Sequence, residues 1–195
     1  MDIVVHSASK YLGGHSDLIA GLVVTKGEKL SEKIKFLQNA IGAILAPQES
    51  WLLQRGMKTL GLRMRAHQSN AQTIFDYLKT QDKVGKIYFP GDPDNPDHAL
   101  AKQQMNGFGA MISFELKAGL DPEQFISNLK IVTLAESLGA LESLIEIPAK
   151  MTHGAIPRNI RLSHGIQDEL IRLSVGVEDI EDLIEDLEQG FNQLK

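Results

Sequence analysis

The chain opens on Ile3-Val4-Val5, a β-branched run of the kind that fills a buried strand, and passes into a polar loop over Lys10–Asp17. Leu18–Thr25 repeats the apolar run and predicts a second buried strand. A strand this near the first residue needs neighbours on both sides, so a preceding segment is expected. Over Lys29–Ala40 the period lengthens, and Leu30, Ile34 and Leu37 fall on one face of a helix. Pro47 marks a boundary, after which Leu53, Met57, Leu60, Met64, Ala71, Ile74 and Leu78 recur at helical spacing from Gln48 to Gln81. One helix of about 45–50 Å is predicted, with Gly56 and Gly61 as points where it bends. Beyond it come a strand at Val84–Phe89, a turn region at Gly91–Asp97 and an alternating strand at Met111–Leu116. Asp121-Pro122-Glu123 carries the signature of a helix start, with Asp as N-cap and Pro at the first helical position. Leu129–Ala135 and Leu170–Val175 read as further strands. The last helix puts Ile180, Leu183, Ile184, Leu187 and Phe191 inward and its acids toward water.

Strands interleaved with helices over 195 residues, with 43% apolar and 23% charged residues, indicate an α/β protein with ample core. The net charge of −5 gathers in the final helix, from Glu178 to Glu188, which argues against a nucleic-acid surface. The absence of cysteine excludes disulfides, thiolate metal sites and a thiol nucleophile. No stretch reaches the roughly 18–20 apolar residues that span a bilayer, so no membrane association is expected and a cytoplasmic location is.

Chemistry concentrates in His6-Ser7-Ala8-Ser9-Lys10-Tyr11-Leu12-Gly13-Gly14-His15-Ser16-Asp17. A lysine just past a strand, flanked by two hydroxyls and a glycine pair, has the ingredients of an anionic-cofactor site: Ser7 and Ser9 supply donors, and the glycines allow close backbone approach. A solvated loop lysine is the alternative reading of the same residues.

The longer run from Asp2 to Gly21 resembles the cofactor-lysine signature of the cysteine/methionine metabolism (trans-sulfuration) family of pyridoxal-phosphate enzymes. Similarity continues through Pro47–Trp51, Arg55-Gly56-Met57-Lys58-Thr59-Leu60, Gly107-Phe108-Gly109, Ala135-Glu136-Ser137-Leu138-Gly139, Met151-Thr152-His153 and Arg172–Glu178. In motif it is most similar to the cystathionine γ-lyase and γ-synthase side of the family, and only to the C-terminal half of its members.

The resemblance implies the C-terminal part of an aminotransferase-like type I fold. Residues 1–56 would be the end of the large cofactor domain and 57–195 the small C-terminal domain. Pyridoxal 5′-phosphate would be the cofactor. Lys10 would be its Schiff-base lysine and the general base, and Ser7 and Ser9 would hold its phosphate. Arg172 would clamp the substrate α-carboxylate through a planar guanidinium, with Ser137 and Glu136 bordering the substrate. Thr152 and His153 are candidates for the same pocket, His6 and His15 read as structural partners beside the lysine, and Trp51 as core or interface.

The implied reaction is β or γ elimination on cystathionine or a related small sulfur amino acid. Cystathionine γ-synthase or homoserine-ester sulfhydrylase chemistry, or an inactive truncated interaction domain, are the alternatives. A homotetramer built as a dimer of dimers is implied too. The family's phosphate loop, ring-stacking tyrosine and ring-nitrogen aspartate precede the lysine in its members. The chain alone is therefore expected to be a poor catalyst and to expose sizeable apolar patches.

Overall fold

A computed structural model describes residues 1–194. It divides into two compact units, Met1–Gly61 and a second beginning at Leu62.

In the first unit, β1 (Ile3–Ser7) and β2 (Gly21–Thr25) form an antiparallel ribbon in which Ile3 faces Thr25 and Ser7 faces Gly21. The predicted loop between them starts instead as a single wide helical turn, Ala8–Leu12, closed by the Gly13 N–H donating to the Ala8 carbonyl at 2.9 Å. Then follow α1 (Glu28–Ile41) and α2 (Pro47–Met57), the latter with its proline in the first turn, where the missing N–H has no helical partner to lose. The two strands are not buried as the apolar runs predicted: Val5 is 71% exposed. A two-stranded ribbon without a covering layer cannot bury its own side chains. The face predicted for α1 is likewise uncovered, with Phe36 70% exposed. Trp51 is 55% exposed with the Arg55 guanidinium 5.6 Å from its ring centre, so it is not a core residue.

The long helix predicted from Gln48 to Gln81 is two helices. After α2 the chain tightens, with Lys58 and Thr59 N–H groups donating to the carbonyls of Arg55 and Gly56, before α3 (Leu60–Leu78) begins. Thr59 Oγ1 also donates to the Gly56 carbonyl at 3.1 Å, a side-chain bond that competes with helix continuation.

The second unit is an α/β structure on a five-stranded mixed sheet in the order β3 (Val84–Tyr88), β4 (Met111–Leu116), β7 (Leu170–Ser174), β6 (Leu144–Glu146), β5 (Thr133–Leu134). Neighbours are antiparallel except β5 and β6. β4 alternates inward and outward as its sequence predicts, placing Ile112, Phe114 and Leu116 in the core. α5 (Pro122–Ile126) and α7 (Ile180–Gln193) cover one another through Phe125 and Phe191, whose ring centres lie 4.7 Å apart. The Asp121 carboxylate caps α5 as predicted, accepting from the Glu123 N–H at 3.0 Å. The short α4 (His98–Gln104), β6 and α6 (Arg158–Ser163) are additions to the predicted elements.

Two predicted features change for one reason. The strand expected over Leu129–Ala135 shrinks to Thr133–Leu134, and Asp186, placed by the pattern among the water-facing acids, is 1% exposed. Its carboxylate accepts from the main-chain N–H groups of Lys130, Ile131 and Val132, at 2.7, 3.0 and 2.9 Å. Donors held by a carboxylate are withdrawn from a sheet ladder, so the strand starts only beyond them.

Candidate active site

The Lys10 turn is built from the ribbon outward. Past the last strand pair, the Ala8 N–H donates to the Ala20 carbonyl at 2.8 Å. Ser9 then acts as a further rung: its Oγ accepts from the Ala20 N–H at 2.9 Å and lies 3.3 Å from the Ala20 carbonyl oxygen. Lys10 leaves helical geometry inside the turn (φ −96°, ψ −135°), and its carbonyl accepts from the Gly14 N–H at 2.8 Å. Turns of this wide type recur at functional positions because they project one residue out of register. Ser7 ends β1 with an exposed side chain. His15 Nδ1 donates to the Gly13 carbonyl at 2.7 Å, the structural role expected of it.

α2 supports the turn from below. Gly56 packs so closely on Gly13 that a Cβ there would lie 2.2 Å from the Gly13 carbonyl oxygen, less than any real contact. Gly56 is thus a close-approach glycine as well as the end of a helix. The first unit thereby brings Ser7, Ser9 and Lys10 together.

Arg172, Glu136 and Ser137 are brought together in the second unit. Arg172 lies on β7 directly across from Glu146 on β6. Its Nη1 is 2.9 Å from Glu146 Oε1, and its Nη2 donates to the carbonyls of Glu136 and Ser137 at 2.8 and 3.1 Å. The guanidinium therefore fastens the Ala135–Gly139 loop from the sheet. Thr152 Oγ1 donates to the same Glu146 oxygen at 3.1 Å and lies 2.9 Å from His153 Nδ1, which puts Thr152 in this cluster. Glu146, 1% exposed, is the neighbour of these candidate residues that the sequence reading missed. The available signal was an acid inside the apolar run Leu144-Ile145-Glu146-Ile147, since a carboxylate on a buried strand requires a partner.

The segment after β7 is pinned from α3. His67, fully buried, donates from Nδ1 to the Val175 carbonyl at 2.7 Å, and Asn70 Nδ2 donates to the Glu178 carbonyl at 2.9 Å. Burial, which disfavours the charged ring, holds the His67 pKa below its ordinary value. The folded state thus takes up its proton less readily than the unfolded chain. His67's contribution to stability is whole above pH about 6.5 and is lost as the pH falls toward the depressed value. In melting curves between pH 8 and 5, His67→Gln is expected to flatten the pH dependence; parallel wild-type and variant curves would contradict this.

The donor set suits a phosphate-bearing aldehyde such as pyridoxal phosphate. In the first unit a primary amine, Lys10, follows two hydroxyl residues, Ser7 and Ser9, at a strand end. In the second unit, taken by itself, Arg172 Nε is a buried donor that makes no hydrogen bond among the described residues. Among those residues no helix is long and apolar enough to cross a membrane.

The model for the Cys/Met metabolism PLP-dependent enzymes matches residues 1–192. A cystathionine beta-lyase of Lactococcus lactis subsp. cremoris is 57% identical over 98% of the chain and 50% of its own length. A cystathionine gamma-lyase of Bacillus subtilis is 54% identical over 99% of the chain and 51% of its own length. The crystal structure of cystathionine gamma-lyase from Lactobacillus plantarum complexed with L-serine superposes with a TM-score of 0.96 and 72% identity, over 99% of this chain and 51% of that one. The chain spans about half the length of the relatives it matches. It belongs to the Cys/Met metabolism family of pyridoxal-phosphate-dependent enzymes.

Proposed function

We propose that the chain is the C-terminal half of a carbon–sulfur lyase that acts on cystathionine or a related sulfur amino acid by β or γ elimination. Residues 1–56 would close the large cofactor domain and 57–195 form the small domain of an aminotransferase-like fold. The observation that carries the reading is the wide turn Ala8–Leu12, which sets Lys10 directly after Ser7 and Ser9 at the end of β1, with Ser9 tied to the Ala20 N–H. The names of the relatives, cystathionine beta- and gamma-lyases, support the substrate class.

In this reading the Lys10 amine tethers the cofactor and, once released, takes the proton from the substrate α-carbon and returns one at the leaving side. The Ser7 hydroxyl donates to the phosphate. Ser9, whose Oγ accepts from the Ala20 N–H at 2.9 Å and donates to the Ala20 carbonyl at 3.3 Å, turns that proton toward a phosphate oxygen. The cofactor supplies the electron sink that stabilises charge at the α-carbon. Arg172 holds the α-carboxylate, Ser137 borders it, and Glu136 stands where the substrate side chain extends. The parent protein is a cytoplasmic dimer of dimers.

γ-Replacement is the second reading, favoured by the 45% identity and TM-score of 0.94 to a cystathionine gamma synthase from Xanthomonas oryzae pv. oryzae in complex with cystathionine. An interaction domain without activity of its own is a third, supported by the exposed apolar side chains of the first unit.

The test is to add pyridoxal phosphate, record the visible spectrum, reduce with borohydride and measure intact mass, comparing wild type with Lys10→Ala. One pyridoxyl adduct at Lys10, absent from the variant, is the expected result, and turnover on cystathionine is measured next. A wild-type chain with no adduct above that of Lys10→Ala would exclude Lys10 as the cofactor lysine of this chain.

A further inference from the structure

Resting on the reading of Arg172 as the carboxylate clamp, we propose that Glu146 is the positioning residue that fixes the Arg172 guanidinium for the carboxylate of an amino-acid substrate. The two residues are cross-strand partners on β6 and β7, so their side chains leave neighbouring strands at one level. Glu146 is buried to 1% exposure, and such a carboxylate is retained only when something answers its charge.

The manner of the pairing is informative. An arginine and a carboxylate free to choose their geometry frequently meet as a fork, with two parallel bonds. Here the pair is single: Nη1 meets Oε1 at 2.9 Å, while Arg172 Nε and Glu146 Oε2 are both buried without a hydrogen-bond partner among the described residues. Thr152 holds the engaged Oε1 from the other side, and the Glu136 and Ser137 carbonyls hold Nη2. The guanidinium plane is thus set by contacts at both terminal nitrogens, and its Nε is left uncommitted. An arginine left to itself samples many rotamers, and ordering it beforehand removes that loss from ligand binding.

The experiment follows the Arg172 Nε–H signal by NMR in the 195-residue chain labelled with 15N-arginine, assigned by its disappearance in Arg172→Lys. Wild type is expected to show a slowly exchanging Nε–H that shifts on titration with glycine, the simplest probe carrying an amino-acid carboxylate. Glu146→Leu is expected to speed exchange of that proton and weaken glycine binding, each by about tenfold, with the Val175 amide exchanging at its wild-type rate. Glu146→Gln, which keeps an acceptor in place, is expected to stay within about threefold of wild type in both. If Glu146→Leu does not fold, Thr152→Val removes the hydroxyl that steadies Oε1 and is expected to speed Nε–H exchange by about threefold.

Unchanged Nε–H exchange in whichever of these two variants folds overturns the proposal. So does a rise at Val175 equal to that at Arg172, which would make Glu146 a structural residue only. A wild-type chain whose Arg172 signal ignores glycine would remove the clamp reading, while the exchange rates would still decide whether Glu146 holds the guanidinium.

Discussion

Asp186→Ala is expected to lower stability by about 3–5 kcal/mol in urea unfolding, among the largest effects of any single polar substitution in the chain. The reason is what the alanine leaves behind. Three adjacent main-chain N–H groups, those of Lys130, Ile131 and Val132, lose their acceptor together in a place where the carboxylate is 1% exposed. Water cannot replace it without opening the contact between α7 and this segment. Asp186→Asn, which keeps one acceptor oxygen and presents an amide to the remaining donors, is expected to lose roughly half as much. A loss below about 1 kcal/mol for Asp186→Ala would mean that the segment finds other partners.

Gly56→Ala is expected to destabilise the chain by about 1–3 kcal/mol or more and to cut pyridoxyl trapping at Lys10 at least severalfold. The added methyl carbon would sit 2.2 Å from the Gly13 carbonyl oxygen, and that atom belongs to the main chain that closes the Lys10 turn. Backbone must move, and it is the backbone that carries the lysine. Gly21→Ala is the control, since its nearest neighbour would be the His6 carbonyl oxygen at an ordinary 3.9 Å. Equal trapping by the Gly56 and Gly21 variants would show that α2 does not set the position of the turn.

Gly56 also shows how far the sequence was legible. Helical spacing runs unbroken across it, and propensity alone predicts a bend. What ends α2 there is a contact with Gly13, more than forty residues away in sequence, together with the Thr59 hydroxyl. No local pattern encodes that. β4 and α7 were legible because each has one face on the core, so a period of two or of 3.6 residues appears directly. β6 was not, because a fully buried strand of three residues has no alternation to read.

The site divides along similar lines. The turn carrying Ser7, Ser9 and Lys10 stands out as a candidate in the sequence because its residues are contiguous. Glu146 escaped because its meaning depends on Arg172 across the ladder. Asp186 was misread as a solvated acid, although its spacing from Leu183, Leu187 and Gly190 places it on the buried face of α7, where a carboxylate implies a set of donors.

The uneven distribution of buried apolar side chains has a calorimetric consequence. Ala8 and Leu53 are the only buried apolar residues described in the first unit, whereas the second holds a continuous core from Ala71 to Leu194. The heat-capacity increment on unfolding scales with apolar surface newly exposed to water, so nearly all of it comes from the second unit. In calorimetry the sheet bearing Arg172 is therefore expected to melt in a sharp transition with large enthalpy, and the ribbon bearing Lys10 in a shallow one.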